Sequence, residues 1–207
     1  DADPTAIRSL AVLPLMNLSG DPAKEYFADA LTEALLTDLA QIHAVRVISR
    51  ASVMRYKGTT EPIPAIARQL KVEAIVEGGV MVAGDRVRIT AQLVDGRSDR
   101  HLWAQSFEGE LRDVIGLQRR VSRSIAERIR VTIQPEEAAR LAQRGSIDAE
   151  IYDAYARARF FWNKRTGDDI ANSIVAFRGV TERDPTYAPA FAGLADAYAV
   201  AAEYRVI

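Results

Sequence analysis

The stretch Ala74-Ile-Val-Glu-Gly-Gly-Val-Met-Val-Ala-Gly-Asp-Arg-Val-Arg-Ile-Thr-Ala-Gln-Leu-Val-Asp95 decides how the chain is read. Its first half, Ala74 to Val82, predicts a strand, and Gly84-Asp85 predicts a tight hairpin turn. After the turn, Val87, Ile89, Ala91 and Leu93 alternate with Arg88, Thr90 and Gln92. That two-residue period belongs to a half-buried antiparallel strand. Polar residues from Gly96 to Arg100 reverse the chain again into a last strand, Leu102 to Phe107, which must run parallel to the first arm of the hairpin.

Working upstream, residues 7 to 13 are short, apolar and closed by Pro14, which predicts a buried strand. Asp21 is a good N-cap and Pro22 suits a first helical turn. Phe27, Leu31, Leu35, Leu39 and Ile42 then recur at helical spacing to about residue 42, and Val45 to Ser49 predicts a second strand. A strand, a helix and a strand within about 40 residues fit a parallel crossover. Pro62 and Pro64 open another helix with Ile63, Ile66, Ala67 and Leu70 on its apolar stripe. Downstream of the last strand, Val114, Leu117, Val121, Ile125 and Ile129 mark an amphipathic helix over roughly residues 110 to 133, ending near Pro135. The expected first domain, residues 1 to 134, is therefore α/β with a mixed sheet.

Composition narrows the chemistry. The 207 residues are 48% hydrophobic and 27% charged, with 27 basic against 28 acidic side chains and a net charge of -1. A charge so close to zero gives no global field to attract nucleic acid or anionic lipid. With no cysteine there can be no disulfide, thiolate metal site or cysteine nucleophile, and two histidines, His43 and His101, leave little for a zinc site or a histidine triad. No apolar run approaches the roughly 20 residues of a membrane span, and the N-terminus carries no secretory signal pattern. The chain starts at Asp1 and not at methionine, which suggests a processed product or an excised piece.

Beyond a charged, alanine-rich linker at residues 135 to 146, every periodic stretch is helical. Three helices are expected, at about 147 to 163, 168 to 183 and 187 to 204. Tetratricopeptide (TPR) repeats have a 34-residue period with bulky, small, tyrosine and proline residues at fixed offsets. Anchored on Pro185, that register places Phe177 on the aromatic position of a second helix. One period on, Phe191, Leu194, Ala195 and Tyr198 fall on the four positions of the next first helix. The preceding repeat departs from the pattern, with Phe161 at a usually small position and Ser173 in place of alanine. A second repeat cut after its first helix cannot bury its own face, so further repeats are expected past Ile207.

The strings Leu10-Ala-Val-Leu-Pro, Asn17-Leu-Ser-Gly-Asp-Pro, Glu25-Tyr-Phe-Ala-Asp, Val76-Glu-Gly-Gly-Val, Arg86-Val-Arg-Ile-Thr-Ala-Gln-Leu-Val-Asp and His101-Leu-Trp-Ala together resemble the TolB-like amino-terminal domain over residues 7 to 133. Phe161-Trp-Asn-Lys-Arg-Thr and Ala192-Gly-Leu-Ala-Asp-Ala-Tyr are similar to the TPR repeats often fused behind it in bacteria. The resemblance implies a three-layer fold like an anticodon-binding domain, with a five-stranded sheet whose fourth strand is antiparallel. It also implies an effector domain in the same polypeptide, commonly a winged-helix DNA-binding domain or a class III nucleotide cyclase. Ala30 stands where that family usually has glycine, and Gly96 to Asp99 replace a turn that is often Thr-Gly. The shared motifs specify a fold and carry no catalytic signature.

Candidate sites are few. The loop from Asn17 to Pro22 puts Ser19 and Gly20 at a helix start, where free amides can hold an anion, though Asp21 already supplies a negative cap and no phosphate-loop lysine follows. Arg119, Arg120 and Arg123, with Arg128 and Arg130, give the last helix of the first domain a basic side that could meet nucleic acid, but Glu110, Asp113 and Glu127 interrupt it and no aromatic platform interleaves. Asp29, Glu33, Glu73 and Glu77 read as solvated surface. Tyr155, Trp162, Asp196 and Ala199 lie on first helices of the repeats, on the side that TPR arrays turn toward a ligand groove. The expectation is a non-catalytic interaction and sensory module, needing no cofactor or metal. It binds a protein or peptide, is linked to an effector and is compatible with a homo-oligomer. The alternatives are the regulatory segment of a nucleotide cyclase and, more weakly, a nucleic-acid-binding domain. Periplasm and cytoplasm both remain open.

Overall fold

The computed structural model describes residues 7–129 and 147–203, which divide into two compact units, Asp1–Ser146 and Ile147–Ile207. The linker read at 135 to 146, and the end of the helix read to 133, lie outside the described residues.

In the first unit β1 (Ser9–Val12) is wholly buried and pairs in parallel with β3 (Arg46–Val47) on one side and β4 (Ala74–Ala83) on the other. β5 (Arg86–Asp95) follows antiparallel, then β6 (His101–Glu110), giving the order β3-β1-β4-β5-β6 in a mixed sheet. The expected alternation holds along β5: Val87, Ile89, Ala91 and Leu93 are buried while Arg86 and Arg88 are exposed. Gly84 turns the hairpin at φ +59°, a conformation that costs glycine nothing.

The sheet has a sixth strand where five were expected. Pro14 has no N–H and interrupts β1, and the freed Leu15 N–H is taken by Thr32 Oγ1 at 2.9 Å. The chain then rejoins β4 as β2 (Met16–Asn17), and Leu18 N–H donates to the Val80 carbonyl at 2.7 Å. Two residues are too few to leave a periodic signal in the sequence.

Helix α1 (Glu25–Ala40) follows a 3-10 turn, Pro22–Lys24, whose N-cap Asp21 accepts from Ala23 N–H at 2.9 Å. Phe27, Leu31, Leu35, Leu39 and Ile42 are all buried. A short helix α2 (Arg50–Val53) and a 3-10 turn, Met54–Tyr56, precede α3 (Ile63–Leu70), which ends on Lys71 in the left-handed region at φ 54°. The segment from 50 to 56 is an addition to the expected elements, being too short for a helical period. Helix α4 (Val114–Arg128) begins later than expected, because β6 runs on to Glu110 and a 3-10 turn, Leu111–Asp113, intervenes. It docks on α1 through Asp38 Oδ2, which accepts from Gln118 Nε2 at 2.9 Å and Ser122 Oγ at 2.8 Å.

The reading of Asp29 and Glu33 as solvated surface is corrected. Asp29 is 6% exposed and its Oδ1 lies 2.7 Å from Lys57 Nζ, which also holds Glu25 Oε1 at 2.7 Å, while Glu33 faces Arg50 at 3.8 Å. One acidic edge of α1 thus fastens the segment carrying α2. Burial lowers the affinity of Lys57 for its proton, but hydrogen bonds and charge from Asp29 and Glu25 outweigh it and raise the pKa above the ordinary lysine value.

In the second unit α5 (Ala149–Lys164), α6 (Gly167–Arg183) and α7 (Ala188–Glu203) pack around Ala158, Trp162, Ile170, Ile174, Phe177, Ala197 and Ala201. Asp148 caps α5 through Glu150 and Ile151 N–H, and Thr166 caps α6 through Asp169 N–H. Helix α7 packs through the small residues Ala190, Gly193, Ala197 and Ala201, which are buried. Gly193 is required there, since an added Cβ would lie 2.5 Å from the Phe177 ring. Phe191 is 46% exposed and Ala195 is exposed, with Leu194 and Tyr198 half-buried.

The sheet packing and the lysine clamp can each be tested by substitution. A Cβ at Gly78 would sit 2.0 Å from the Thr90 carbonyl oxygen across the β4–β5 ladder. Gly78→Ala is therefore expected to cost about 3 kcal/mol or more, read as a lowered urea midpoint, whereas Gly58→Asn, at φ +68° with open space around it, should cost under about 1 kcal/mol. Lys57→Met should lower stability by about 1–2 kcal/mol at neutral pH, discounted for partial exposure. Because the folded pKa of Lys57 is raised, its contribution is complete below pH 10.5 and lost above it. The Tm difference between the two proteins should accordingly shrink as pH rises through that range.

Candidate functional site

The second unit brings together side chains from three places in its sequence. Tyr155 on α5 sets its ring 5.2 Å from that of Tyr187, at 90°, and 6.0 Å from Phe177. Tyr187 is held in the turn between α6 and α7, where Asp184 Oδ1 accepts from Thr186 N–H at 2.9 Å and from its hydroxyl at 2.6 Å. Arg159, one helical turn beyond Tyr155, is half-buried. Asp196 on α7 is exposed, and its charge acts on both Tyr155 and Arg159.

Burial, then the charges of Tyr187 and Asp196, pushes the Tyr155 phenol far above its ordinary pKa. Burial, then Asp184, pushes Tyr187 up to about 12. Burial also pulls Arg159 below the usual guanidinium value, with Asp196 opposing and Arg165 adding to the fall. Both phenols stay protonated at neutral pH, so they can share hydrogen bonds but cannot act as bases or nucleophiles. The cluster sets a guanidinium, two phenols and one carboxylate beside aromatic rings. Such a mixture of groups can recognise a polypeptide.

Of the sequence candidates, Tyr155 and Asp196 are brought together, and Ala199 is exposed one turn from Asp196. Trp162 is corrected: it is 6% exposed in the helical core, with the Arg165 guanidinium 3.6 Å from its ring centre, so the ring serves packing. Arg159 and Tyr187 are additions to the sequence candidates. Arg159 shares the helix face of Tyr155 at i+4, a spacing that the sequence carries, but Tyr187 joins the cluster only through the fold of the turn.

The other candidates are placed elsewhere. Ser19 Oγ accepts from Val82 N–H at 2.9 Å and Ser19 N–H is taken by Asn17 Oδ1, while Gly20 is exposed at φ +71°. That loop spends its polar groups on its own geometry. Arg120 donates to the Glu108 carbonyl at 3.1 Å, and Arg119 and Arg123 lie within one 100° arc of α4 that also contains Glu127. His43 and His101 are exposed. Among the described residues no three His, Cys, Asp or Glu side chains group as a metal site, and no helix is long and apolar enough to cross a membrane.

No family model matches the chain. A Rhizobium meliloti protein named "Putative adenylate cyclase 3" is 42% identical over 151 residues, 73% of this chain. The chain spans about a quarter of that relative, 26% of its length. Among solved structures it is similar to lipoprotein GNA1162 from Neisseria meningitidis (19% identity, 61% of this chain and 99% of that one, TM-score 0.42). The LpoB C-terminal domain from Salmonella enterica shows 16% identity over 51% and 84% of the two chains, with a TM-score of 0.41. TolB from Acinetobacter baumannii shows 13% identity over 63% and 31%, with a TM-score of 0.44.

The phenol assignments are open to a direct check. Alkaline difference spectra of Tyr155→Phe and Tyr187→Phe against the unsubstituted chain should show no lost phenolate signal up to about pH 11, where ordinary tyrosines with pKa near 10 have titrated. Because these pKa values are raised in the fold, the neutral phenols stabilise it fully below about pH 10, and that contribution fades as pH rises further.

Proposed function

We propose that this chain is a non-catalytic interaction and sensory module of a bacterial regulatory protein. In this reading residues 1 to 134 form a three-layer TolB-like domain, 135 to 146 a linker, and the helices from 147 TPR hairpins, and the module passes its bound state to an effector domain outside the chain. The observation that supports the reading is the convergence of Tyr155, Arg159, Tyr187 and Asp196 from α5, α7 and the turn before α7, an aromatic and charged cluster of the kind that recognises polypeptides. The partner is a protein or peptide lying along α5 and α7, past Asp196 and Ala199.

A second reading is favoured by the 42% identity to the protein named as an adenylate cyclase: the chain is the regulatory segment of a nucleotide cyclase. It differs from the first only in naming the effector, and peptide mapping of the parent protein decides it, a cyclase domain supporting the reading and a DNA-binding domain ending it.

For the binding role, the chain immobilised on a surface is expected to retain a partner from the source cell. Asp196→Lys, a charge reversal at an exposed position whose folding is checked by circular dichroism, should weaken that retention at least about tenfold, while Ser19→Ala and Arg123→Ala leave it unchanged. Retention indifferent to Asp196, or no retention at all, contradicts the role.

A further inference from the structure

In the first unit the end of β6 and the start of α4 border an open notch of about 370 Å³. Its lining carries three guanidiniums, of Arg86, Arg112 and Arg120, and three carboxylates, of Glu108, Glu110 and Asp113. What it can hold depends on which of these charges are already matched. Glu108 holds Arg88 at 2.7 Å and Glu110 holds Arg112 at 2.6 Å, so two carboxylates are paired at close range. Asp113 folds over the first turn of α4, where an added Cβ at Gly116 would lie 2.3 Å from its Oδ1. A carboxylate there is offset by the positive end of the helix.

Two guanidiniums are left over. Arg86 reaches Glu108 only at 3.9 Å, across a carboxylate that Arg88 already holds. Arg120 donates to the Glu108 carbonyl at 3.1 Å and meets no carboxylate among the described residues. That bond also shows that the Glu108 carbonyl faces away from β5. Strand alternation turns the Glu110 N–H to the same outer side, where no strand pairs with β6 among the described residues. Gly109 lies between them and leaves the floor of the notch clear, since a Cβ there would lie 3.5 Å from the Arg120 guanidinium. Two guanidiniums and one backbone N–H thus face a single notch.

We propose that this notch binds a phosphate group, free or carried by a small metabolite. A tetrahedral dianion has acceptors for both guanidiniums and for the N–H, and the arginine fork matches phosphate oxygens. Its two negative charges answer the two guanidinium charges that the carboxylates leave unmatched. The volume falls within the range of small-molecule sites, which gives room for a carrier group. The site is independent of the binding role given to the helical unit.

Titration calorimetry of the chain at low ionic strength, with inorganic phosphate, glycerol phosphate and acetate as probes, tests the site. Phosphate is expected to bind, and acetate to bind at least about tenfold more weakly. Tighter binding of glycerol phosphate assigns the ligand to a metabolite, and equal or weaker binding assigns it to the free ion. Arg86→Gln and Arg120→Gln should each weaken phosphate about tenfold. Asp113→Asn keeps a residue suited to a helix start but removes a carboxylate from the notch, and it should strengthen phosphate binding about threefold. Glu127→Gln makes the same change of net charge about 20 Å farther along α4 and should leave binding unaltered. Absence of phosphate binding overturns the proposal, as does acetate binding as tightly as phosphate, indifference to Arg86 and Arg120, or equal gains from Asp113→Asn and Glu127→Gln.

Discussion

The close approach of β4 and β5 is the constraint on which the first unit depends. Ten residue pairs, from Ala74 with Asp95 to Ala83 with Arg86, run in one register, and Gly78 and Gly79 let the backbones meet where any side chain would strike Thr90 or Leu18. That register decides which side chains of β5 enter the core, because a slip by one residue would exchange the Val87, Ile89, Ala91, Leu93 set for two arginines, a threonine and a glutamine. β1 and β2 take their places on the free side of β4, and β6 takes its place on the free side of β5. Gly96 repeats the device at the next turn, where an added Cβ would lie 2.7 Å from the Ala67 methyl.

Much of this is legible in the sequence because it is periodic. The β5 alternation, the Gly84-Asp85 turn and the helical spacings of Phe27 to Ile42 and Val114 to Ile129 each span enough residues to show a period. What escapes such a reading is short or relational. β2 has two residues, α2 has four, and the pairing of Lys57 with Asp29 joins groups 28 positions apart with no local signature. In the helical unit Tyr155 and Asp196 are legible from their positions along the helices. Trp162 is not, because an aromatic residue on a helix carries no mark of whether it faces a ligand or, as here, a core closed by Arg165.

In the helical unit the polar groups that converge are neutral phenols, a guanidinium and a carboxylate. In the reading proposed here, recognition by the helices becomes a signal only if it changes something in the rest of the polypeptide.

That this chain regulates and does not catalyse is tested most directly by the effector output of the full-length parent protein, measured with and without residues 1 to 207, the isolated chain being assayed in parallel. The predicted result is an output whose response to the partner disappears with the deletion, and an isolated chain with no turnover of its own. An unchanged response after the deletion, or turnover by the isolated chain, would contradict it.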